Sequence, residues 1–356
     1  MERSSINEGK GEIDRNTPVG VRITGVGAEI PPRVVTTAEL EEQADIGRFG
    51  FEPGWLERVT AVTERRWAEP DVTPSDLAAA AARTALADAG REPGEVDTVI
   101  FAGITKDYIE PAAANIVADA VGATHARVFD VMNACNGFID GIDLADSLIR
   151  CGKARRVLVT TGERASIATW YRAPTVEEFI RTLASYMVSD GGGATVIEAT
   201  DDPGRGFRER EYRSFPTEWR HAIGGRLLPT DERCTSCGSL VDPRFLVDGR
   251  RMFEFGVSRL PHVVGAVMVR SGWSFEDVDF IFTHEVHKRF IDELGGVGGP
   301  LAKIWSTVGR FGNTSTVSLP LAMSEANAAG KLVAGRKVLL VGSCSGMSMA
   351  ALTMVW

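Results

Sequence analysis

The sequence contains an internal repeat, in which three short motifs recur in the same order and at a nearly constant spacing. The matched pairs are Glu95–Phe101 with Asp277–Phe282, Gly152-Lys153 with Gly330-Lys331, and Arg156–Val159 with Lys337–Leu340. Each half follows the order strand, loop, helix, Gly-Lys, strand, glycine loop and strand. This duplication predicts two similar α/β units packed against each other.

One half of the repeat carries Cys135 in a short turn between a predicted strand at 128–131 and a helical pattern that begins near Ile139. The dipole and free N–H groups of a helix N-terminus favour an anion. This position therefore predicts that the thiol is pushed towards the thiolate, which is the nucleophilic form of cysteine. The alternative is that Cys135 is a small buried apolar residue, as most free cysteines are.

The repeat also relates two other polar side chains to Cys135. If the step from Gly152 to Gly330 is applied to Cys135, it reaches Asn313, just before the equivalent helix. His284 follows the strand equivalent to 96–102, so it also lies at a strand end. Sites collect beyond strand ends and between domains, so we predict that a thiol, an imidazole and a carboxamide share one cleft.

Composition limits the classes of function. The net charge of −9 argues against a nucleic-acid partner, and we expect no membrane segment because no apolar run approaches the ~20 residues of a membrane span. Residues 1–18 are polar and lack the apolar core of a secretory signal, so we interpret them as a disordered tail. Five cysteines without a framework spacing favour a reducing cytoplasm.

Periodicity divides the rest of the chain into an N-terminal half at 19–198, an irregular insertion at 199–244 and a C-terminal half at 245–356. Charged and turn residues dominate the insertion. Three local predictions concern a helix over Trp170–Tyr186, a glycine loop at Gly191–Gly193 that opens a strand, and a tight loop at Gly342–Gly346.

The motifs typical of metal and cofactor sites are incomplete. Cys234 and Cys237 have the spacing of half a zinc site, but there is no second pair at metal spacing. His284 and His287 are three residues apart rather than the four of the metalloprotease pattern. Gly191–Gly193 precedes a strand, whereas a dinucleotide fingerprint follows one. We therefore predict neither a metal nor a resident cofactor.

Three motifs in order, Asn133–Phe138, His284 and Gly312–Ser315, resemble those of the β-ketoacyl-acyl carrier protein synthase III group of the thiolase superfamily. The likeness covers about residues 20–198 and 245–356. It implies an α/β thiolase fold in which two pseudo-repeated halves form five αβαβα layers, and it implies a homodimer. By this resemblance Cys135 is the acylated nucleophile, with His284 and Asn313 as its partners.

The resemblance also implies an oxyanion hole and a coenzyme A site. The backbone N–H of Cys135 and one from Ser345 or Gly346 would form the oxyanion hole. Trp55 falls where the family stacks the coenzyme A adenine, and Arg58 lies one helical turn away. From the residues alone, Trp55 and Arg58 can stack on and pair with a nucleotide, and a core tryptophan is an equally good interpretation.

The chain departs from the family pattern at Glu110. The family's dimer partner usually offers an aromatic residue at this loop, and here it carries a carboxylate before Pro111. This resembles thiolase-like enzymes that join two acyl chains head to head, in which a glutamate of the partner subunit is the base. The alternative is that Glu110 is an exposed loop carboxylate.

These residues fit an acyl-thioester condensing enzyme, which forms a C–C bond by Claisen condensation through an acyl-cysteine. Three alternatives remain: acyl transfer to a hydroxyl or amine of a specialised metabolite, non-decarboxylative head-to-head condensation with Glu110 as base, and a non-catalytic partner subunit. The acyl group would arrive on coenzyme A or on an acyl carrier protein.

Overall fold

A computed structural model describes residues 20–229, 232, 241–288 and 301–356; the expected tail at 1–18 lies outside the described residues. The strands are β1 (Gly20–Glu29), β2 (Arg33–Thr36), β3 (Glu64–Trp67), β4 (Thr98–Phe101), β5 (Arg127–Asp130), β6 (Arg156–Arg164), β7 (Asp190–Thr200), β8 (Gly206–Ser214), β9 (Ala222–Leu227), β10 (Val241–Val247), β11 (Phe280–Thr283), β12 (Lys337–Cys344) and β13 (Ser348–Val355). The α-helices are α1 (Thr37–Gln43), α2 (Trp55–Thr60), α3 (Pro74–Ala89), α4 (Ala113–Val121), α5 (Gly137–Arg150), α6 (Val176–Arg181), α7 (Gly249–Ser271), α8 (Val308–Phe311) and α9 (Ser318–Ala328).

Two mixed sheets repeat the same strand pairing. Their strand orders are β1-β7-β6-β4-β5 and β11-β12-β13-β8. Thr98 of β4 lies opposite Val157 of the parallel strand β6, and Phe280 of β11 lies opposite Val338 of the parallel strand β12. The step along the chain from Thr98 to Phe280 nearly equals the step from Val157 to Val338. The predicted repeat is therefore present in the register of the strands.

The prediction of an irregular segment over 199–244 is wrong for its described part. Strand β8 pairs antiparallel with β13 as β1 pairs with β7, and β9 and β10 form a separate two-stranded sheet. Strand β8 reads Gly206-Phe-Arg-Glu-Arg-Glu-Tyr-Arg-Ser214, and charges of this kind are typical of a sheet edge, where they hide the apolar alternation. We therefore propose that the second half begins at Gly206 rather than at residue 245.

Helices α5 and α9 lie between the two sheets. Phe138 and Ile142 of α5 share one buried core with Leu319 and Met323 of α9 and with the facing sides of both sheets. Helices α3 and α4 pack on the other face of the first sheet, and α7 packs on the other face of the second. The layers thus follow the order αβαβα, which confirms the predicted α/β thiolase fold.

Helix α7 is, within the described ranges, the one helix that length and composition would allow to span a membrane. Its Val263 and Val267 are buried in a core that also contains Ile281 and Leu339 of the second sheet. An apolar stripe packed on a sheet accounts for the apolar character of an outer-layer helix.

The predicted helix over Trp170–Tyr186 is wrong in extent. Within this range the structure has only α6 and a 3₁₀ turn at Leu183–Tyr186. Pro174 explains the interruption, because the residue before a proline avoids helical backbone angles.

Gly191–Gly193 belong to strand β7 rather than to a loop. These glycines are buried, and a Cβ atom on Gly192 would lie 2.0 Å from the Leu77 carbonyl oxygen of α3. Glycine is needed here because helix and strand backbones approach each other closely.

Candidate active site

Cys135 lies in the turn between β5 and α5. The turn is closed by hydrogen bonds from Asn136 N to Asn133 O and from Gly137 N to Ala134 O, both 3.0 Å. Ala134 has a left-handed φ of 45°, which turns the chain sharply just before the cysteine. A Cβ atom on Gly137 would lie 2.6 Å from the Ala102 carbonyl oxygen, so glycine lets the helix start against the end of β4.

The second half repeats this turn at the start of α9. Ser315 has a left-handed φ of 56°, and Val317 N donates to Thr314 O over 3.0 Å. Ser315 therefore corresponds to Ala134, the left-handed residue of the first turn. It follows that the structural equivalent of Cys135 is Thr316, the next residue along the chain.

The predicted equivalence of Cys135 and Asn313 is therefore wrong. Helix α5 has 14 residues and α9 has 11. The spacing between the two halves comes from the Gly-Lys pairs, which follow the two helices. Because the helices differ in length, the same spacing does not relate the residues at their starts. Asn313 precedes the left-handed residue of its turn by two positions.

Ser315 connects the three predicted site residues. Its Oγ lies 3.5 Å from the Cys135 Sγ, and its N–H donates to Asn313 Oδ1 over 2.9 Å. His284 is joined to Ser315 through Ser318, whose hydroxyl lies 3.3 Å from His284 Nδ1 and donates to Ser315 O over 2.9 Å. The structure thus brings Cys135, His284 and Asn313 around one turn, although by a different register from the one that the sequence suggested.

Asn313 is held by its backbone and by its side-chain oxygen. Its N–H donates to Met187 O and its carbonyl accepts from Ser189 N, both over 2.8 Å. Because Oδ1 accepts from Ser315 N, the Nδ2 amino group is left to donate, and no described residue accepts from it. Asn313 therefore offers a fixed hydrogen-bond donor.

His284 follows β11 and is 6% exposed. Its N–H donates to Val341 O over 3.1 Å, and its Nδ1 lies 3.3 Å from Ser318 Oγ at the start of α9. Burial lowers the pKa of the imidazole to about 4, against a smaller raising effect of Glu285. His284 is consequently neutral at physiological pH, with one ring N–H to donate and one lone pair to accept.

The expectation that the helix start pushes Cys135 towards the thiolate is wrong. The residue is half-buried, and desolvation raises the pKa of its thiol to about 11. The Ser315 hydroxyl lowers this pKa and the charge of Glu163 raises it further. Loss of water is the largest of the effects on this thiol, and it disfavours the charged form.

The predicted loop at Gly342–Gly346 is shorter than expected. Strand β12 continues to Cys344, so the turn contains only Ser345, Gly346 and Met347. The Cys344 thiol donates to Asn133 O over 3.4 Å, which places this hairpin beside the Cys135 turn. The oxyanion role of Ser345 or Gly346 stays a prediction.

Trp55 and Arg58 lie on α2, outside the contacts that join the Cys135 turn. Trp55 is half-buried and stacks on Phe51 with ring centroids 4.1 Å apart, in an aromatic cluster with Phe179. Arg58 is exposed and donates to Pro53 O over 3.2 Å. Phe51 occupies one face of the indole, so a nucleotide would have to use the other.

Glu110 is exposed, and no hydrogen bond or ion pair joins it to Cys135 among the described residues. It lies in the loop between β4 and α4, beside Ile109, which is 96% exposed. Its predicted role requires a partner subunit.

Sequence reasoning missed Ser315 and Glu163. Glu163 has no exposed surface, and it accepts hydrogen bonds from Thr105 and Thr316 near the Cys135 turn. A left-handed serine and a contact between residues far apart in the chain leave no local signal in a sequence.

The described residues contain no group of three or more side chains that could hold a metal ion. Cys234 and Cys237 lie outside the described residues.

The fold and the site together define a class of protein. A duplicated five-layered fold, with a cysteine at the start of a central helix and a histidine and an asparagine from the other half beside it, is that of thiolase-fold condensing enzymes.

Comparison with known sequences gives the family. Profiles of 3-oxoacyl-(acyl-carrier-protein) synthase III and of its C-terminal domain match residues 129–214 and 268–356. β-Ketoacyl-(acyl-carrier-protein) synthase III 3 of Streptomyces coelicolor is 32% identical over 341 residues, which are 94% of this chain and 96% of that protein. The chain belongs to the synthase III family.

Comparison with solved structures points the same way. A structure of Xanthomonas campestris OleA with bound lauric acid and lauroyl-CoA has a TM-score of 0.85 and 27% identity, and the match covers 95% of this chain and 99% of that chain. The 3-oxoacyl-(acyl-carrier-protein) synthase III of Aquifex aeolicus has a TM-score of 0.81 at 27% identity, with 95% and 100% covered. This chain is a synthase III-like condensing enzyme.

Proposed function

We propose that this enzyme carries an acyl group on Cys135 and condenses it with a second thioester. The observation that carries the proposal is the Ser315 turn, because Ser315 contacts Cys135 and Asn313 directly and His284 through the Ser318 hydroxyl. A nucleophile, a neutral imidazole and a fixed amide donor are the groups that this chemistry requires.

The first step transfers the acyl group. The Cys135 sulfur attacks the thioester carbonyl, the bond from that carbonyl to the coenzyme A sulfur breaks, and the thiol proton ends on the departing sulfur. Neutral His284 has a lone pair that can accept this proton in passing. Backbone N–H groups of Cys135 and of the Ser345–Gly346 turn would stabilise the tetrahedral oxyanion.

The second step forms the C–C bond. Asn313 Nδ2 and a ring N–H of His284 would donate to the carbonyl oxygen of the second thioester, where negative charge collects as the enolate forms. The enolate carbon attacks the acyl carbonyl, and the Cys135 sulfur leaves. If the second substrate is a malonyl thioester, loss of carbon dioxide supplies the enolate and no base is needed.

A second candidate is condensation without decarboxylation, with Glu110 of a partner subunit as the base. The exposed position of Glu110 and the likeness to OleA favour it. In this reaction the carboxylate removes the α-proton of an unactivated acyl thioester.

We propose a homodimer formed through β5. This strand is an unpaired edge of the first sheet. Beside it lie Ile109 and Met132, which are 96% and 65% exposed. An uncovered edge with exposed apolar side chains is suited to pairing with a second copy. Such pairing would bring Glu110 of one subunit towards the other.

Coenzyme A is the carrier that we favour, because an OleA structure holds lauroyl-CoA. Trp55 and Arg58 would then bind its adenine and phosphates. An acyl carrier protein as the donor is the alternative. We place the enzyme in the cytoplasm, where these thioesters are found, and expect no resident cofactor.

Intact-protein mass spectrometry after incubation with lauroyl-CoA tests the first step. We expect an adduct of one lauroyl group that is absent in Cys135→Ala. Malonyl-CoA, a second acyl-CoA, or an alcohol or amine is then added separately. The added compound that removes the adduct distinguishes decarboxylative condensation, head-to-head condensation and acyl transfer. A Cys135 that no acyl thioester modifies would overturn the proposal and favour a non-catalytic subunit.

A further inference from the structure

Glu163 is a buried carboxylate that the proposed steps do not use. It lies near the end of β6 and has no exposed surface. Backbone N–H groups of Ile104 and Thr105 donate to its two oxygens over 2.9 and 3.1 Å, and the Thr105 and Thr316 hydroxyls donate as well. Burial raises the pKa of this carboxyl group above its ordinary value, and the four hydrogen bonds offset this rise only in part. Because each oxygen accepts a backbone N–H, the arrangement is built for the ionised form.

These hydrogen bonds tie together both halves of the chain. Ile104 and Thr105 begin the loop that leads to Glu110, and Thr316 follows Ser315 in the second half. The Thr316 hydroxyl also lies 2.5 Å from the hydroxyl of Thr161 on β6. Glu163 therefore anchors the residue next to Ser315, whose hydroxyl touches the Cys135 sulfur.

The charge of Glu163 also acts on Cys135. No described Lys, Arg or His forms an ion pair with Glu163. After desolvation, its charge is the other influence that raises the pKa of the Cys135 thiol. A like charge close to a forming thiolate disfavours it.

We propose that Glu163 is a positioning residue for the nucleophile: its carboxylate holds the Ser315–Thr316 turn in place and opposes negative charge on Cys135. The effect of Glu163 on the pKa of Cys135 does not depend on the condensation reaction. Its effect on the position of Ser315 is measured by acylation and therefore rests on the proposed function.

Among the titratable groups near Cys135, Glu163 is the one whose charge raises the pKa of the thiol. His284 has a pKa of about 4 and is neutral above it. Cys344 interacts with Cys135, but burial raises the pKa of its thiol to about 12. Asp140 interacts with Cys344 and is hydrogen-bonded to Asn133 on the other side of the turn.

The first experiment tests the effect of the Glu163 charge. The rate of alkylation of Cys135 by iodoacetamide is measured between pH 6 and 11, and peptide mapping separates Cys135 from the other cysteines. We expect Glu163→Gln to lower the pH midpoint by about one unit, which is about tenfold faster alkylation at pH 8. Asp190→Asn is the matched control. Asp190 is equally buried and accepts from Ala68 N, Ser166 N and the Ser166 hydroxyl, so its loss should leave the midpoint unchanged.

The second experiment tests the effect of Glu163 on position and uses Glu163→Asp, which keeps the charge but is one methylene shorter. We expect the wild-type midpoint with about tenfold slower acylation by lauroyl-CoA, because the carboxylate no longer reaches Thr316. If wild-type protein is alkylated normally but not acylated, the proposed function fails and the effect of the Glu163 charge still stands.

The proposal is overturned if Glu163→Gln leaves the midpoint unchanged or raises it, or if Asp190→Asn lowers it equally. Circular dichroism establishes that each variant is folded. If neither Glu163 variant folds, the wild-type midpoint decides, because a value at or below the ordinary thiol value of about 9 contradicts a like charge beside Cys135.

Discussion

At the scale of single residues, the site buries almost the whole of the His284 imidazole. Burial lowers the pKa of His284 to about 4, whereas an unfolded chain keeps about 6.5. Between these values the unfolded chain binds more protons than the folded one. The free energy of unfolding must therefore fall as the pH drops through 6.5 towards 4, and this contribution is complete above 6.5.

His284→Asn removes this titration and keeps a hydrogen-bonding side chain. From pH 7 to pH 4, we expect the free energy of unfolding of the wild type to fall by about 3 kcal/mol relative to that of the variant. Urea unfolding at several pH values measures it, and subtraction cancels the carboxylates common to both proteins. A difference that does not vary with pH would contradict a buried neutral His284.

At the scale of secondary-structure elements, helices α5 and α7 differ in how closely they are packed. Gly141 lies within α5, and a Cβ atom there would meet Val159 Cγ1 at 2.8 Å and Ala102 Cβ at 3.3 Å. Gly265 lies within α7, and no atom of the described residues lies within 4 Å of a Cβ atom built there. A comparison of substitutions at these two glycines therefore separates the effect of helix propensity on stability from the effect of packing.

Alanine at each position gives opposite predictions. Gly265→Ala should raise the free energy of unfolding by about 1 kcal/mol, because alanine restricts the unfolded chain and has a higher helix propensity. Gly141→Ala gains the same term but overlaps a stiff valine in the core, so we expect a net loss of about 1–2 kcal/mol. Urea denaturation midpoints measure both, and equal shifts would contradict the close contact of α5 with β6.

The elements also show how far a sequence can be interpreted. Buried strands such as β4 and β12 could be predicted because their apolar runs and the repeat agree with each other. Strand β8 could not, because its charged edge residues conceal its pairing with β13. In the site, Cys135 and His284 could be located by their place in the repeat. Ser315 could not, because its importance comes from its φ angle and long-range contacts.

At the scale of the whole molecule, the proposed dimer depends on the surface beside β5. Ile109→Asp should convert the dimer to a monomer, because it places a charge in the centre of an apolar contact. Val269→Asp on α7 is the control, since Val269 is 80% exposed but lies in the outer helix layer of the second sheet. Light scattering after gel filtration measures the mass. A mass unchanged by Ile109→Asp would place the interface elsewhere.

Mixed dimers test whether Glu110 acts across the interface. Cys135→Ala and Glu110→Ala homodimers should each be inactive in non-decarboxylative condensation. When they are co-expressed, half of the dimers contain one intact site, so we expect about a quarter of the wild-type rate. Malonyl-dependent condensation by Glu110→Ala should stay near the wild-type rate. Absence of complementation would assign Glu110 to its own subunit's site or to no catalytic role.

The strand order of the second sheet has a consequence for synthesis on the ribosome. Strands β12 and β13 occupy the middle of that sheet, between β11 and β8, which leave the ribosome before them. A nascent chain that stops short of residue 337 holds two strands of this sheet that are not neighbours in the finished fold. The Cys135 turn therefore acquires Cys344 and Ser348, its neighbours from the second sheet, only when the last two strands have left the ribosome.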